Sequence, residues 1–233
     1  MPRTHSLIPI RFPVLRGSEP AMVTLDFAGH GDVIATTHWQ VPRSLKRDAA
    51  TRARAAVARE FALFAAKRWR HYRDSGIAAR SLPELRRMIS SDPQGEYCFH
   101  LKLTAAWFPH SLGGAMVRSC SCDASSQEVP AAPAPREAQC ATWCHHLIVD
   151  FLFVHPRICG KIESVKGGGV GILQGICLIA RNLRCKRVWG EAPRDSSSFY
   201  ERQLGRAIED SFTLDVSEIA FFADQIEKES RWA

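Results

Sequence analysis

The stretch V-K-G-G-G-V-G-I-L-Q-G-I, residues 165–176, places glycine at four of five consecutive positions, Gly167, Gly168, Gly169 and Gly171, and an apolar run follows at once. Glycine costs roughly 0.5–1 kcal/mol relative to alanine inside a regular element. Such a cluster at the mouth of a helix is either slack chain or a place where main chain closely approaches something. The chemistry it suits is anion capture. A helix N-terminus leaves N–H groups without acceptors and carries about half a positive charge, and glycines let backbone wrap a phosphate with no Cβ in the way. Two phosphate motifs fit poorly. No Gly-Lys-Ser/Thr follows at the spacing of a Walker loop. The dinucleotide pattern G-x-G-x-x-G matches at Gly169 and Gly171, and Glu191 lies about 20 residues on, where a ribose-binding acid belongs. Its third position, however, is Gln174, and the preceding strand ends near Val154, well before the loop.

The elements that would position this turn can be read along the chain. Residues 21–41 hold two short strands, MVTLDF and VIATTHWQV, split by AGHGD. Ser44 caps a long helix running to about Arg73, with Val57, Phe61, Ala65, Trp69 and Tyr72 at helical spacing. Ser81 caps a second helix that tolerates Pro83 in its first turn. GEYCFHLKLTAAW (95–107) reads as a strand and GGAMVRSCSC (113–122) as its antiparallel neighbour. The Pro/Ala/Ser-rich segment 123–139 reads as a flexible loop without chemistry. CHHLIVDFLFVHP (144–156) is a nearly continuous apolar run, as for a strand buried on both faces, and Pro156 ends it. After the glycines come a helix (ILQGICLIARNLRC), a strand (KRVWGEA, 186–192) and a short helix (195–205) capped by Asp195 or Ser196 and closed by Gly205. A last strand (210–216) leads to a closing helix that docks through Ile219, Phe222, Ala223 and Ile226.

In this setting K-G-G-G-V-G (Lys166 to Gly171) resembles the R/Q-x-x-G-x-G/A acyl-CoA pyrophosphate loop of the GNAT superfamily of N-acyltransferases, with Lys166 where that family usually carries Arg or Gln. FLFVHP (151–156) resembles the family's central strand ending in V-x-P, and SSSFYERQLG (196–205) its later motif, whose Tyr faces the thioester sulfur. The order of elements also matches, closely over 144–215 and loosely before it. Two departures stand out. RICGKIESV (157–165) lengthens the connection between the V-x-P proline and the glycine loop, and Pro193 replaces an Asn often found seven residues before the motif Tyr, removing one cofactor-orienting hydrogen bond.

The resemblance implies one α+β domain over residues 1–233, with a central, mostly antiparallel, splayed mixed sheet flanked by helices. It implies acetyl-CoA or another acyl-CoA as co-substrate, its pantetheine entering the splay beside Phe153 and Val154 like an added strand. The pyrophosphate would sit on the N–H groups of Gly167, Gly168, Gly169, Val170, Gly171 and Ile172, with Lys166 adding charge. Strand amides near Val154 would polarise the thioester carbonyl. A small-molecule or peptide amine would attack directly while both substrates are held together, and Tyr200 would protonate the departing thiolate. A base for the incoming ammonium remains open among His146, Asp150 and Glu191. The first two are assigned to one strand face, with residues 148, 152 and 154, by simple alternation. His155, beside the proline, is expected to be exposed. A CoA-binding protein without catalysis and an acyl-homoserine-lactone-type synthase are the alternatives on the same fold.

Composition is that of an ordinary soluble globule. The 233 residues are 45% hydrophobic and 24% charged, as in soluble globular domains. No apolar run reaches the roughly 18 residues of a membrane span, and the N-terminus has no signal-peptide core, so a cytoplasmic location is expected. The net charge of +7 gathers between Arg43 and Arg87, where it reads as the solvated face of the first long helix. With no DNA-reading motif beside it, nucleic acid is not an expected partner, and a homodimer is left open. Eight cysteines, at 98, 120, 122, 140, 144, 159, 177 and 185, lack the usual CxxC pairing and are expected as reduced thiols with no metal.

Overall fold

A computed structural model describes residues 7–29, 49–121, 145–159 and 165–231. The expected strand at 33–41, the Ser44 cap and the loop at 123–139 lie outside these residues. The elements run β1 (Ile10–Arg16), β2 (Glu19–Phe27), α1 (Ala49–Asp74), β3 (Ala78–Ala79), α2 (Leu82–Ser91), β4 (Tyr97–Ala105), β5 (Phe108–Ser121) and β6 (His145–Val154). They continue α3 (Pro156–Cys159), β7 (Val165–Lys166), α4 (Gly168–Asn182), β8 (Arg187–Glu191), α5 (Arg194–Leu204), β9 (Ser211–Leu214) and α6 (Val216–Arg231). The strands form one mixed sheet in the order β7-β1-β2-β4-β5-β6-β8-β9, with β3 beside β4. Its pairs are antiparallel except β6–β8 and β3–β4. This is the α+β mixed sheet expected from the sequence.

Local chemistry accounts for most of these boundaries. Ser81 sits at the N-cap of α2 and its Oγ accepts the Glu84 N–H at 3.3 Å, while Glu84 Oε2 accepts the Arg80 N–H at 2.8 Å. Asp215 closes the start of α6 in the same way: its Oδ1 accepts the N–H groups of Ser217 and Glu218 at 2.8 and 2.9 Å, and Glu218 reaches back to the Asp215 N–H at 3.0 Å. Such reciprocal caps satisfy donors that a helix start leaves open. Helix α5 departs from expectation. It begins at Arg194, one residue before Asp195, because the Pro193 carbonyl already accepts the N–H groups of Ser196 and Ser197 at 2.7 and 3.0 Å. Gly205 ends it in the left-handed region with φ 65°, as expected.

Strand β1 is absent from the sequence reading, because Arg11 and Pro13 interrupt it. Ile10, Phe12 and Val14 nevertheless alternate inward with period two. Pro13, which donates no ladder bond, lies where β7 no longer covers β1, since that pairing reaches only Leu15 and Arg16.

Two cores sandwich the sheet. The larger one packs α2, α4 and α6 against one face, with Ile172, Ile176, Ile179, Phe222 and Ile226 buried in it. The expected α6 stripe of Ile219, Phe222, Ala223 and Ile226 is entirely buried. On the other face α1 buries Trp69 and Tyr72 over Cys98 and Met116, and Ala62, Ala65 and Ala66 over Phe153. Among the described residues no helix is long and apolar enough to cross a membrane.

Candidate active site

The site begins where two neighbouring strands part. β6 pairs with β8 only from His146↔Arg187 to Val149↔Gly190, so the ladder stops midway along β6 and Glu191 lies just beyond its last rung. Residues 150–154 therefore line a cleft of about 1070 Å³ instead of a second neighbour. This corrects the reading of β6 as buried on both faces: Asp150, Phe151, Leu152 and Val154 are half-buried.

A bulge sits at the branch point. On β5, Val117 pairs with Val149 and Met116 with Phe151, which leaves Asp150 as an extra residue. One extra residue reverses the alternation that follows it. Before the bulge, Leu147 and Val149 join the α4 core; after it, Phe151 and Phe153 turn to α1 while Leu152 and Val154 face the α4 side. Residues 146, 148, 150, 152 and 154 thus do not share one face, contrary to simple alternation.

The donor wall is the N-terminus of α4. Gly167 caps it at φ 98°, a conformation that side chains rarely adopt. The first intrahelical bond runs from the Gly171 N–H to the Gly167 carbonyl at 2.8 Å. The N–H groups of Gly168, Gly169 and Val170 therefore precede any intrahelical acceptor. Lys166 and Gly167 to Val170 all line the cleft, together with Phe153 and Val154. Gly171 and Ile172 do not. The Gly171 N–H is already spent on Gly167, and Ile172 is fully buried in the core. The reason for glycine at 171 is steric: a Cβ there would lie 2.1 Å from the ring of Phe12.

Across the cleft, α5 presents Phe199 and Tyr200. The Tyr200 ring is 4% exposed, stacks on Phe212 with centroids 4.0 Å apart, and meets Phe199 edge-on. Burial pushes its phenol well above the ordinary tyrosine range, so it stays protonated at neutral pH.

The other end of the cleft opens toward α1. Val188 faces the α4 core, so alternation turns Trp189 and Glu191 to the α1 side. There they join Phe61 and Arg68 of α1 with Arg118, Asp150 and Phe151. Asp150 is clamped: Arg118 Nε and Nη2 donate to its two oxygens at 2.7 and 2.9 Å, and Glu96 lies 3.5 Å from Arg118 Nη1. The hydrogen bond to Asp150, outweighing the cost of burial, holds the Arg118 guanidinium firmly charged. Glu191 is exposed and, among the described residues, has no ion-pair partner. His146 lies at the paired end of β6, opposite Cys120 and Arg187 and outside the cleft lining. Burial, with Arg187 and Lys186 nearby, pushes its pKa down. Of the three candidate bases, two line the cleft and one does not. Arg68, Arg118 and Trp189 were missed in the sequence. Arg68 is hidden within the basic run KRWRHYR, and Arg118 in an apolar strand.

His155 is not exposed but 2% accessible, against the expectation. Its N–H donates to the Leu112 carbonyl at 2.7 Å and its Nδ1 accepts the Arg157 N–H at 3.1 Å. Its ring stacks on His110 with centroids 5.7 Å apart. Burial first, then His110 and Arg157, pushes its pKa down to about 4. The folded state thus refuses a proton that the unfolded chain accepts near pH 6.5, so stability falls as pH drops below about 6.5 and keeps falling until about 4. Thermal unfolding across this range is expected to show that slope. His155→Asn, which keeps an acceptor for the Arg157 N–H, is expected to flatten it; an unchanged slope places the acid sensitivity elsewhere.

Among the described residues no group of three or more His, Cys, Asp or Glu is placed to hold a metal ion. No family model matches the chain, and no curated protein matches it. Solved structures do resemble it. AtaTR bound with acetyl-CoA aligns over 85% of this chain and 96% of its own at 12% identity and a TM-score of 0.45. A protein assigned as arylalkylamine N-acetyltransferase 7 of the yellow fever mosquito aligns over 91% and 98% at 13% identity and 0.44. A protein assigned as a GNAT-family acetyltransferase from Desulfovibrio desulfuricans aligns over 83% and 99% at 15% identity and 0.38. At these scores the likeness fixes no residue role and no activity for this chain.

Proposed function

We propose that this chain is an acyl-CoA-dependent N-acyltransferase of GNAT type that acts by direct attack of an amine on the thioester. The observation that carries the reading is a helix N-terminus with three open N–H groups in a sheet-splitting cleft whose lining also includes a buried, protonated phenol. The residues fit an acyl-CoA. Gly168, Gly169 and Val170 offer N–H groups to a pyrophosphate, Lys166 adds a cation, and the edge of β6 near Phe151 and Leu152 offers main chain to an extended arm. When bound, the thioester supplies an activated acyl group.

The chain's own residues do the rest. Glu191, beside the branch point and without an ion-pair partner among the described residues, attracts the acceptor's ammonium and takes one proton from it at a carboxylate oxygen. Asp150 is not assigned as the base, because both of its oxygens are engaged by the Arg118 guanidinium. His146, outside the cleft, takes no part. As nitrogen bonds to the carbonyl carbon and the C–S bond breaks, Tyr200 donates its phenolic proton to the leaving sulfur, and the second proton shed by the nitrogen restores the phenol through water in the cleft.

Thermal unfolding with acetyl-CoA and with a longer acyl-CoA tests this directly. At about 100 times Kd a ligand that binds only the folded state adds about 2.7 kcal/mol. No stabilisation by either thioester overturns the proposal.

A further inference from the structure

The acceptor chamber carries more information than an amine requires. Its floor is already neutral, since Arg118 and Asp150 satisfy each other. Two charges remain. Glu191 stands at the end of β8, and Arg68 stands on α1, exposed and lining the same cleft. Arg68 Nη1 donates to the Tyr72 hydroxyl at 3.3 Å. Among the described residues Arg68 has no carboxylate partner, and it is not paired with Glu191. The same lining carries apolar rings: Phe61 and Phe151 with centroids 6.3 Å apart, and Trp189 on β8.

Building on the acyltransferase reading, we infer that the acceptor is a zwitterion with an apolar arm, an α-amino acid or a compound of the same pattern. Its ammonium faces Glu191, its carboxylate faces Arg68, and its apolar arm lies on Phe61, Phe151 and Trp189. A guanidinium offers two parallel N–H donors that match a carboxylate, and the bond to Tyr72 holds one of its ends in place. A polyamine is disfavoured, because its second cation would meet Arg68, which has no carboxylate partner among the described residues. A plain arylalkylamine fills the aromatic wall but leaves the Arg68 fork unused.

The test compares L-phenylalanine with phenethylamine, which has the same arm and amine but no carboxylate, as acceptors with acetyl-CoA. The wild type is expected to favour phenylalanine in kcat/KM by roughly 10–100-fold, the range for one charge-assisted recognition contact. Arg68→Gln is expected to bring that ratio to about one, and Arg68→Lys to restore part of it. A wild type that prefers phenethylamine, or acylates neither while acetyl-CoA binds, overturns the inference. So does an Arg68→Gln protein that loses both acceptors equally. Acetyl-CoA binding by thermal shift is measured in parallel. Its absence brings down the acyltransferase reading itself, whereas intact binding with any of those outcomes removes only the zwitterionic acceptor.

Discussion

A Gly171→Val protein is expected to lose about 3 kcal/mol of stability, at the upper end for overpacking, which lowers Tm by roughly 6–12 °C in a chain of this size. The Cβ would lie 2.1 and 2.2 Å from two ring carbons of Phe12. Phe12 is 1% exposed and fixed in β1, so its ring has nowhere to go, and better helix propensity, about 1 kcal/mol at most, does not compensate. Shortening the ring with Phe12→Leu should recover part of the loss, as expected for two residues in contact.

Gly169, two positions earlier, should behave differently. A Cβ there would meet the Phe199 ring at 3.4 Å, an ordinary contact, so Gly169→Ala is expected to fold with stability at or slightly above wild type. Gly169→Trp should also fold but fill the anion seat and abolish stabilisation by acetyl-CoA. A Gly171→Val protein as stable as wild type would show that α4 does not rest on β1 as described. A Gly169→Trp protein that still responds to acetyl-CoA would move the phosphate seat elsewhere. The glycine cluster thus serves two purposes. Gly167 and Gly169 keep backbone open at the cleft, and Gly171 lets the helix lie close on the sheet.

Tyr200→Phe is the second large effect. The ring would remain stacked on Phe212, so folding should survive while kcat falls by roughly 10²–10³-fold, within the range for loss of a positioned acid. Burial keeps this phenol neutral, so the wild-type rate should show no alkaline limb from it near the ordinary value of about 10. The sign of its linkage follows. The folded state holds the proton more tightly than the unfolded chain, so the stability it contributes is complete below about pH 10 and is lost as pH rises beyond that value. Tyr200→Phe should be the more alkali-resistant protein as well as the slower enzyme. A variant with wild-type kcat would remove Tyr200 from the chemistry and favour a protein that binds an acyl-CoA without using it.

Much of the candidate site is legible in the sequence, and the parts that are not have a common cause. The glycine turn, the Ser81 and Gly205 caps and the α6 stripe were readable because each depends on residues within a turn or two of itself. The bulge at Asp150 was not. HHLIVDFLFV is apolar on both sides of the slip, so an extra residue leaves no break in the pattern, and only the pairing with β5 reveals it. β1 is not legible because Arg11 and Pro13 interrupt the apolar pattern between the inward Ile10, Phe12 and Val14.

The sequence by itself determined most of the order of elements and two features that the proposed chemistry would use, a glycine turn at a helix mouth and a tyrosine on a short later helix. Cap chemistry, glycine conformation and hydrophobic period act over a few residues, so they are written locally. Only the tertiary structure decided which carboxylate stands open and which is clamped, which glycine meets a ring and which a cleft, and that Arg68 shares a chamber with Glu191. Those properties arise from side chains brought together across long separations, such as Arg118 and Asp150, 32 positions apart. The field and packing a residue feels are set by its neighbours in space, and no spacing along the chain records them.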